Sequence, residues 1–307
     1  MNLPYSRVLI TGCTGFVGSR LASTLIEKGI DVHGLGLPDS HDDSPVEKQN
    51  MHEGTIADKD FITSLMKQVK PQAVFHLAAY GTFGHERDVE RMIEVNIAGT
   101  KNILDASVDT GVTSFIMAAS AKEYATGRVP HVEEEMLSPW DDYAATKAAA
   151  EFFCQLFALR NRISTTALRL SPVYGPGDSL SRFVPVAIAS ALSGKPFTIS
   201  SGSLVRNFTY IDDVVDAFIQ ASLRTGGQYE ACNIASPEVH SFEDVLAAVE
   251  SATGKPITRI QSIEQSSTDD SWLLQSDKAK NILGWEAKVS LREGVDRTVK
   301  WYTETQL

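Results

Sequence analysis

The chain has 307 residues, 43% of them hydrophobic and 22% charged, with a formal net charge of −11. This length allows one large domain or two, and the acidic balance argues against a nucleic-acid partner, because phosphate backbones favour a basic surface. No apolar run reaches the roughly 18 residues of a membrane span, so we expect no membrane partner. Three scattered cysteines without a CxxC pair favour a reducing, cytoplasmic setting, and seven histidines without HxxxH or HxH spacing predict no metal site.

Strand and helix signals alternate along the first half of the chain. RVLITG predicts a buried strand, SRLASTLIEKG an amphipathic helix, and DVHGLGL the second strand. The later strands are QAVFHLAA, TSFIMAAS and STTALRL, and long helices cover VERMIEVNIAGTKNILDASVDTG and YAATKAAAEFFCQLFALRN. Strands that are apolar on both faces and alternate with helices predict an α/β fold of the Rossmann type, with a doubly wound parallel sheet.

The pattern changes after about Tyr174. Helical segments are then separated by short strands and turn-rich links, which is typical of a smaller α/β lobe that binds a substrate. We therefore expect a Rossmann domain over residues 1–173 and a mainly substrate-binding lobe over 174–307. Residues 207–236 are expected to return to the Rossmann domain, because YEACNIAS reads as a further strand of the main sheet.

A glycine-rich loop, VLITGCTGFVGSRL, joins the first strand to the first helix. Gly12 suits a tight turn, Gly15 a close approach of backbone to a pyrophosphate, and Gly18 close helix packing. The loop thus predicts that the first domain binds a dinucleotide. The following strand end, GLGLPDSHDD, has Gly36 and Leu37 at its tip and an acidic residue only at Asp39, so NAD and NADP both stay open.

Tyr143 and Lys147 stand four residues apart at the start of a predicted helix and share one face of it. A tyrosine with its ordinary pKa of about 10 is a poor base at neutral pH. The Lys147 ammonium and an oxidised nicotinamide both favour the phenolate, and a pKa lowered by about three units corresponds to about 4 kcal/mol. Such a tyrosine can move a hydroxyl proton while a hydride passes to or from the cofactor, although an isolated YxxxK pair is more often part of an ordinary helix.

Seven segments in order carry a family resemblance over nearly the whole chain: TGCTGFVGSR, HLAAYG, VNIAGTKNIL, YAATK, LRLSPVYGPG, RNFTYIDDVVDAF and ILGWEAKVSLREGVDRTVKWY. Together they resemble the extended short-chain dehydrogenase/reductases. Within that superfamily the chain is similar to the NAD-dependent epimerases and dehydratases of nucleotide-diphosphate sugars. The set is specific for the superfamily and much less so for the individual reaction.

The resemblance implies a role for each matching position. Tyr143 matches the catalytic acid/base, Lys147 the residue that lowers the tyrosine pKa and holds the nicotinamide ribose, and Ser120 the hydroxyl that hydrogen-bonds the reacting oxygen. The positions that match the pyrophosphate loop are Gly12, Gly15, Phe16, Val17 and Gly18. Those that match the remaining cofactor-lining segments are Ala78, Ala79, Pro172 and Val173.

Substrate contacts are expected mainly from the second lobe. Arg206 matches the arginine that usually contacts the nucleotide diphosphate, whose oxygens suit a planar guanidinium. Arg182, Arg292 and His85 are further candidates, each equally open to a role as a surface residue. Lys122, two residues after Ser120, either enters the sugar site as a ligand or acid/base, or faces solvent beside a carboxylate.

The segment after Ser120 bears on the reaction. The 4,6-dehydratases of this family usually carry an acidic residue directly after the Ser/Thr, and Ala121 lacks that carboxyl group. Glu123 before Tyr124 is similar to the Ser-Glu-Glu-Tyr segment of some 4-keto-sugar reductases. We therefore expect an NAD(P)-dependent reductase of a 4-keto-6-deoxy-sugar nucleotide, with a 4-epimerase that retains NAD as the alternative. A dehydratase, a reductase of a non-sugar alcohol or ketone, and a non-catalytic dinucleotide sensor rank lower.

A homodimer is expected from the resemblance, through the helices at 91–109 and 143–160. The second helix carries more apolar surface than one inward stripe needs, in Phe152, Phe153, Leu156 and Phe157. Burial of these side chains under the second lobe is the alternative.

Overall fold

The computed structural model describes residues 3–38, 44–199, 204–262 and 271–305. Within these ranges, no helix is both long enough and apolar enough to cross a membrane. The strands are β1 (Arg7–Thr11), β2 (Asp31–Gly36), β3 (Met51–Glu53), β4 (Ala73–His76), β5 (Ser114–Ser120), β6 (Ser164–Leu170), β7 (Val173–Tyr174), β8 (Phe197–Ile199), β9 (Val205–Arg206), β10 (Thr209–Tyr210), β11 (Tyr229–Ile234), β12 (His240–Ser241) and β13 (Arg259–Gln261).

The helices alternate with the strands in the first half of the chain. They are α1 (Phe16–Glu27), α2 (Lys59–Val69), α3 (Val89–Met92), α4 (Thr100–Ser107), α5 (Asp142–Asn161), α6 (Phe183–Ser193), α7 (Ile211–Ser222), α8 (Phe242–Thr253), α9 (Asp277–Leu283) and α10 (Leu291–Thr305). A π-helical stretch, Ile93–Gly99, joins α3 to α4, and short 3-10 helices cover Lys48–Asn50 and Ala121–Glu123. The continuous helix expected over this part of the chain is therefore widened in its middle.

Seven parallel strands form the main sheet, in the order β3-β2-β1-β4-β5-β6-β11. Alternate residues of β1 serve opposite faces: Ile10 joins the apolar core that contains α1 and α7, and Leu9 the core that contains α2, α4 and α5. The central strands β1, β4, β5 and β6 are buried on both faces because helices cover both. The predicted α/β fold with a doubly wound parallel sheet is thereby confirmed.

The remaining strands form three small two-stranded sheets, β7 with β10, β8 with β13 and β9 with β12. Helices α6, α8 and α10 pack with one another beside them. Strand β11 extends the main sheet next to β6, and α7 packs against α1, so the chain re-enters the first unit late in the sequence. The division into domains at residues 173 and 174 stays a prediction.

Candidate active site

The carboxyl ends of β1, β4, β5 and β6 meet at one edge of the main sheet. Strands β2 and β3 lie on one side of β1, and β4 then pairs on its other side. In folds of this kind a crevice opens at such a switch point, between β1 and β4. The glycine loop follows β1, Ser120 ends β5, and Pro172 and Val173 follow β6 directly. The topology therefore brings most of the predicted cofactor positions to one crevice.

Two glycines of the loop are required by close backbone contacts. Gly12 has a φ of +71°, and a Cβ atom there would lie 2.8 Å from the backbone nitrogen of Ala78. A Cβ on Gly18 would lie 2.1 Å from the carbonyl oxygen of Gly12. Strand β1, the turn and helix α1 can approach one another this closely only without side chains at both positions.

The N-terminus of α1 faces the space beyond this loop. Gly15 is its N-cap and has no side chain to accept from the first backbone N–H groups, which leaves them for an anion. Phe16 and Val17 form the first turn and are half-buried. These features fit a dinucleotide pyrophosphate, whereas Asp39, the acidic residue considered for the adenosine ribose, lies outside the described residues.

A buried histidine that the sequence did not indicate, His76, links the end of β1, just before the glycine loop, to Thr100 at the start of α4. Thr100 donates its hydroxyl proton to the carbonyl oxygen of Asn96 (2.6 Å), so it accepts from His76 Nε2 at 2.9 Å. His76 Nδ1 then accepts from Thr11, whose Oγ1 in turn accepts from the backbone N–H of Ala78. Burial lowers the pKa of His76 to about 3, so the ring stays neutral and this pattern has one proton assignment.

Helix α5 carries Tyr143 and Lys147, and its start is held from two sides. Asp141 is the N-cap and accepts from the backbone N–H of Ala144 at 2.7 Å. On the neighbouring π-helical stretch, Asn96 bonds to the backbone of Tyr80 through both its amide atoms and donates to Thr146 at 2.9 Å. These bonds fix the first turn of α5 against the loop after β4. The Tyr143 ring packs on Gly81 of that loop.

The downward pKa shift that the sequence predicts for Tyr143 is not a property of the protein alone. Burial raises the pKa of Tyr143 above its ordinary value, and the carboxyl group of Glu123 raises it further, while Arg182 lowers it. Lys147 is itself 1% exposed, and burial lowers its pKa. The predicted lowering includes the charge of an oxidised nicotinamide, so it stays a prediction for the protein with its cofactor bound.

Ser120 ends β5 and begins the 3-10 helix Ala121–Glu123. Its Oγ accepts from the backbone N–H of Lys122 at 3.2 Å, while its own backbone N–H donates to Glu123 at 2.8 Å. This reciprocal pair is a capping box. The backbone N–H occupies one lone pair of Oγ, which leaves the hydroxyl proton of Ser120 available for donation to a ligand.

Lys122 lies beside Tyr143. Its Nζ bonds to Asp141 at 2.9 Å and stands 4.9 Å from the Trp140 ring centroid and 5.9 Å from that of Tyr143. The side chains of Lys122 and Asp141 are 33% and 29% exposed, so the pair is accessible from solvent. Lys122 thus pairs with a carboxylate, as the solvent-facing interpretation expects, and it also lies near Tyr143; its role in a sugar site stays a prediction.

Two tentative substrate residues meet at one aromatic ring. The guanidinium of Arg182 lies 5.1 Å from the centroid of Phe83, and His85 stacks on the same ring at 5.7 Å. Arg182 also lowers the pKa of Tyr143, which places its charge near the phenol. Phe83, which sequence reasoning missed, thus brings the loop after β4 to the N-terminus of α6. A lone phenylalanine in a loop gave no signal for this.

Arg206 and Arg292 belong to a different region. Arg206 is 6% exposed, with its guanidinium 4.1 Å from the centroid of Trp272 and 5.7 Å from that of Phe242. Arg292 is exposed and lines a surface cavity of about 300 Å³ together with His240, the residue that pairs with Arg206 across the β9–β12 ladder. The structure therefore groups Arg182 with His85 at the Phe83 ring, and places Arg206 beside Trp272 and Arg292 on α10.

Known proteins resemble the chain over its length. The model of the NAD dependent epimerase/dehydratase family matches residues 8–235. A UDP-glucose 4-epimerase of Mycolicibacterium smegmatis is 30% identical over 327 residues, with 96% of this chain and 98% of the relative covered. A dTDP-D-glucose 4,6-dehydratase of Mus musculus is 31% identical over 323 residues, with 96% of this chain and 88% of the relative covered.

Solved structures match the fold over nearly the whole chain as well. The UDP-glucose 4-epimerase of Thermus thermophilus, solved as a complex with NAD, superposes with a TM-score of 0.88 at 26% identity. The match covers 97% of this chain and 99% of that one. The likeness thus extends from the glycine loop through the small sheets of the second half.

Proposed function

The chain belongs to the NAD dependent epimerase/dehydratase family, and from that premise we propose that it is a nucleotide-sugar 4-epimerase that retains NAD. The observation that supports this proposal is that Ser120 ends β5 at the sheet edge that also carries the glycine loop, and that α5, which bears Tyr143 and Lys147, packs against β5. Reduction of a 4-keto-6-deoxy sugar, ranked first from the sequence, becomes the second candidate. Supporting this order, several relatives are named as UDP-glucose or UDP-glucuronate 4-epimerases.

Tyr143, Ser120 and Lys147 divide the proton chemistry in the proposed reaction. NAD, when bound, supplies the acceptor for the hydride of the sugar C4 and its return to the other face. Tyr143 takes the proton of the 4-hydroxyl as the 4-keto sugar forms and gives it back when the new hydroxyl is made. Ser120 donates its hydroxyl proton to the same oxygen.

We propose that Lys147, together with Arg182, supplies charge that offsets the burial of Tyr143. One helical turn separates the two residues on α5, and burial of Tyr143 raises its pKa in the protein alone. The phenolate therefore depends on the Lys147 ammonium together with the positive ring of oxidised nicotinamide. Dependence on both charges couples proton removal to the presence of the oxidant.

Substrate positions are proposed from the two groups in the structure. Arg182, His85 and Lys122 surround the approach to Tyr143 and suit the sugar. Arg206 suits the diphosphate, because its planar guanidinium, which lies 4.1 Å from the centroid of Trp272, matches phosphate oxygens. Arg292, exposed on α10, is a peripheral candidate for the nucleotide.

Dehydration is disfavoured at the residue that follows Ser120. Ala121 is fully buried, so the carboxyl group that a 4,6-dehydratase uses there has neither a side chain nor room. Lys122 is the next side chain, and Asp141 already neutralises its charge. The 31% identity to a mouse 4,6-dehydratase therefore supports the family and not that reaction.

Incubation of the purified protein with UDP-glucose, UDP-glucuronate and dTDP-glucose, without added cofactor, tests the proposal. We expect one substrate to yield its C4 epimer with no net consumption of NAD and no change in mass. NAD released by denaturing the protein should approach one equivalent per chain. Protein without bound dinucleotide that only turns over a 4-keto-6-deoxy sugar with added NADH or NADPH would establish the reductase instead.

The reductase remains a second candidate because of Glu123. Its carboxyl group precedes Tyr124, as in the reductase segment noted in the sequence, and the structure buries it completely. A reductase consumes one proton at each turnover, whereas an epimerase returns the proton that it takes. Net uptake of protons from a weakly buffered solution during turnover therefore distinguishes the two reactions.

We also propose a homodimer formed through α5 and the helical stretch that starts at α3. Phe152, Leu156 and Leu159 are 56%, 41% and 78% exposed and recur on one face of α5. Phe157 is buried in the core beneath α5 and Phe153 is half-buried against it. Because Phe152, Leu156 and Leu159 stay exposed, the second lobe does not cover their face of the helix. Val89 and Ile93 add exposed apolar surface on the adjoining helical stretch. Apolar faces of this kind are typical of an interface between copies.

A further inference from the structure

Glu123 is a carboxylic acid with no access to solvent. Its exposed fraction is 0%, and it lies between β6 and α5, directly beneath Ser120. Oε1 accepts from the backbone N–H of Ser120 at 2.8 Å. Oε2 is buried as well, and among the described residues no donor points at it. An oxygen that receives no donor is the natural place for a proton.

The group opposite Glu123 already has all the donors that a carboxylate needs. Arg169 donates to Glu151 through Nε at 3.1 Å and through Nη2 at 2.5 Å, and Tyr229 donates its phenol proton at 2.6 Å. These bonds lower the pKa of Glu151 against its burial. With Glu151 ionised, burial and the adjacent charge raise the pKa of Glu123 well above its usual range, and Glu123 donates to Glu151.

Lys147 faces the same pair of carboxyl groups. It is 1% exposed, and in the part of the chain that the structure describes it forms no ion pair within 4.0 Å. Glu123 is the strongest charged influence on its pKa, ahead of Glu151, whose charge Arg169 balances. The protonation of Glu123 thus decides whether the Lys147 ammonium faces a carboxylate that no other cation balances.

We propose that Glu123 is a positioning residue that acts only with its proton in place. As a neutral acid it donates to Glu151, holds Ser120 through the backbone N–H, and leaves the Lys147 ammonium to Tyr143 and the dinucleotide. This role rests on the proposed reaction at Ser120 and Tyr143. It assigns a function to a side chain that touches neither the sugar nor the cofactor.

Loss of that proton acts on both catalytic partners in the same direction. An ionised Glu123 attracts the Lys147 ammonium and raises the pKa of Tyr143, so turnover falls as the pH rises. The groups that face Glu123 are Lys147, Glu151, Tyr143 and Cys154 on α5, Arg169 on β6 and, through Glu151, Tyr229 on β11. Each of these except Lys147 keeps one charge state through the neutral range, given the direction in which its pKa is shifted, whereas burial lowers the pKa of Lys147 towards that range.

Glu123→Gln keeps the hydrogen bonds of the neutral acid but has no proton to lose, because a glutamine can accept from Ser120 and donate to Glu151 at every pH. We expect kcat of Glu123→Gln within about threefold of the unmodified chain at neutral pH, and an alkaline loss of kcat that moves to higher pH. Glu123→Ala removes the acceptor of the Ser120 N–H and should lower kcat about tenfold at all pH values. Glu133→Gln, another carboxyl group that accepts from a backbone N–H (Asn233, 2.7 Å), is the matched control and should keep the original profile.

A second measurement needs no substrate. A carboxyl group whose pKa is raised on folding stabilises the folded chain fully below its unfolded pKa, and that stabilisation is lost as the pH rises through its folded pKa. The thermal midpoint of the unmodified chain should therefore fall towards alkaline pH relative to Glu123→Gln. A difference between the two midpoints that is constant with pH overturns the proposal, as does an unchanged alkaline limb of kcat in Glu123→Gln. Absence of turnover on every sugar nucleotide overturns the proposed reaction instead, and the thermal comparison still decides whether Glu123 holds a proton.

Discussion

At the scale of single residues, the candidate site combines reactive groups with neighbours that restrict their protons. The capping box leaves the hydroxyl proton of Ser120 available to a ligand. The series of hydrogen bonds from Thr11 through His76 and Thr100 to Asn96 gives His76 one tautomer. Tyr143, in contrast, is held away from ionisation by burial until other charges act on it. The hydroxyl of Ser120 is thus held by its backbone neighbours, and the protonation of Tyr143 is set by the burial of its ring.

Tyr143→Phe should abolish most turnover while the fold persists. Loss of a general acid/base lowers kcat by roughly 10² to 10⁴, and no hydrogen bond from the Tyr143 phenol to a described residue contributes to stability. NAD binding should survive. Tyr80→Phe is the control, because Tyr80 supports Asn96 through its backbone and keeps its ring under Arg91. Comparable losses in both variants would argue against a special role for Tyr143.

Lys122→Met tests whether this lysine belongs to the sugar site. Its ion pair with Asp141 is partly exposed, so its removal should cost less than about 1 kcal/mol of stability. We expect KM for the sugar nucleotide to rise about tenfold with a smaller change in kcat, as for a lost hydrogen bond between charge and ligand. Lys101→Met, which removes an exposed ion pair with Asp105 on α4, should leave KM unchanged. An unaltered KM in Lys122→Met returns the residue to the surface.

At the scale of elements, the start of α5 is the part that aligns the site. Asp141 caps the helix and binds Lys122, and Asn96 ties the same turn to the loop after β4. Asn96 lies on the π-helical stretch Ile93–Gly99, whose wider turn departs from the regular helix expected there. Local widening of a helix commonly accompanies functional sites.

Asp141→Ala should therefore cost activity beyond its cost in stability. Loss of an N-cap aspartate destabilises a protein by about 1 kcal/mol. Asp58→Ala is a matched variant, since Asp58 caps α2 by accepting from Phe61 at 3.0 Å, away from Tyr143. Both variants should unfold at similarly lower temperatures, whereas only Asp141→Ala should lower kcat, by about tenfold. Equal activity in the two would limit Asp141 to capping.

The sequence was sufficient for the elements and for the motifs that local chemistry defines. Gly12, Gly18 and the Tyr143–Lys147 pair follow from turn geometry and helical spacing, and the structure places them as expected. Phe83 and Glu151 could not be identified in this way, because their importance arises from contacts between distant segments. The burial that raises the pKa of Tyr143 in the protein alone was missed for the same reason, because burial depends on everything packed around a group.

At the scale of the whole molecule, the exposed face of α5 is the surface that we propose binds a second copy of the chain. Its three exposed apolar side chains are spaced for one helix face, and the neighbouring helical stretch extends the surface. The residues around Tyr143 lie at the other end of the helix from Leu159. A dimer formed here would hold α5 rigid without covering the approach to the sugar site.

Phe152→Glu should convert the protein to a monomer. A carboxylate buried between two copies without a partner is strongly unfavourable, whereas on the free surface it is tolerated. Light scattering after size-exclusion chromatography measures the change, and Ile282→Glu, at a residue 45% exposed on α9, should leave the mass unchanged. A monomeric mass for the unmodified chain would contradict the dimer directly.

Strand β11 has a consequence for how the protein is made. It pairs with β6 along six residues, yet it leaves the ribosome long after β6 does. Until then, β6 presents an unpaired apolar edge, and the Tyr229 donor of Glu151 is missing from its buried position. Long-range parallel pairing of this kind is slow and exposes the nascent chain to aggregation. A fragment ending at residue 173 should accordingly be insoluble during synthesis, even though it contains every residue of the glycine loop and the pair on α5.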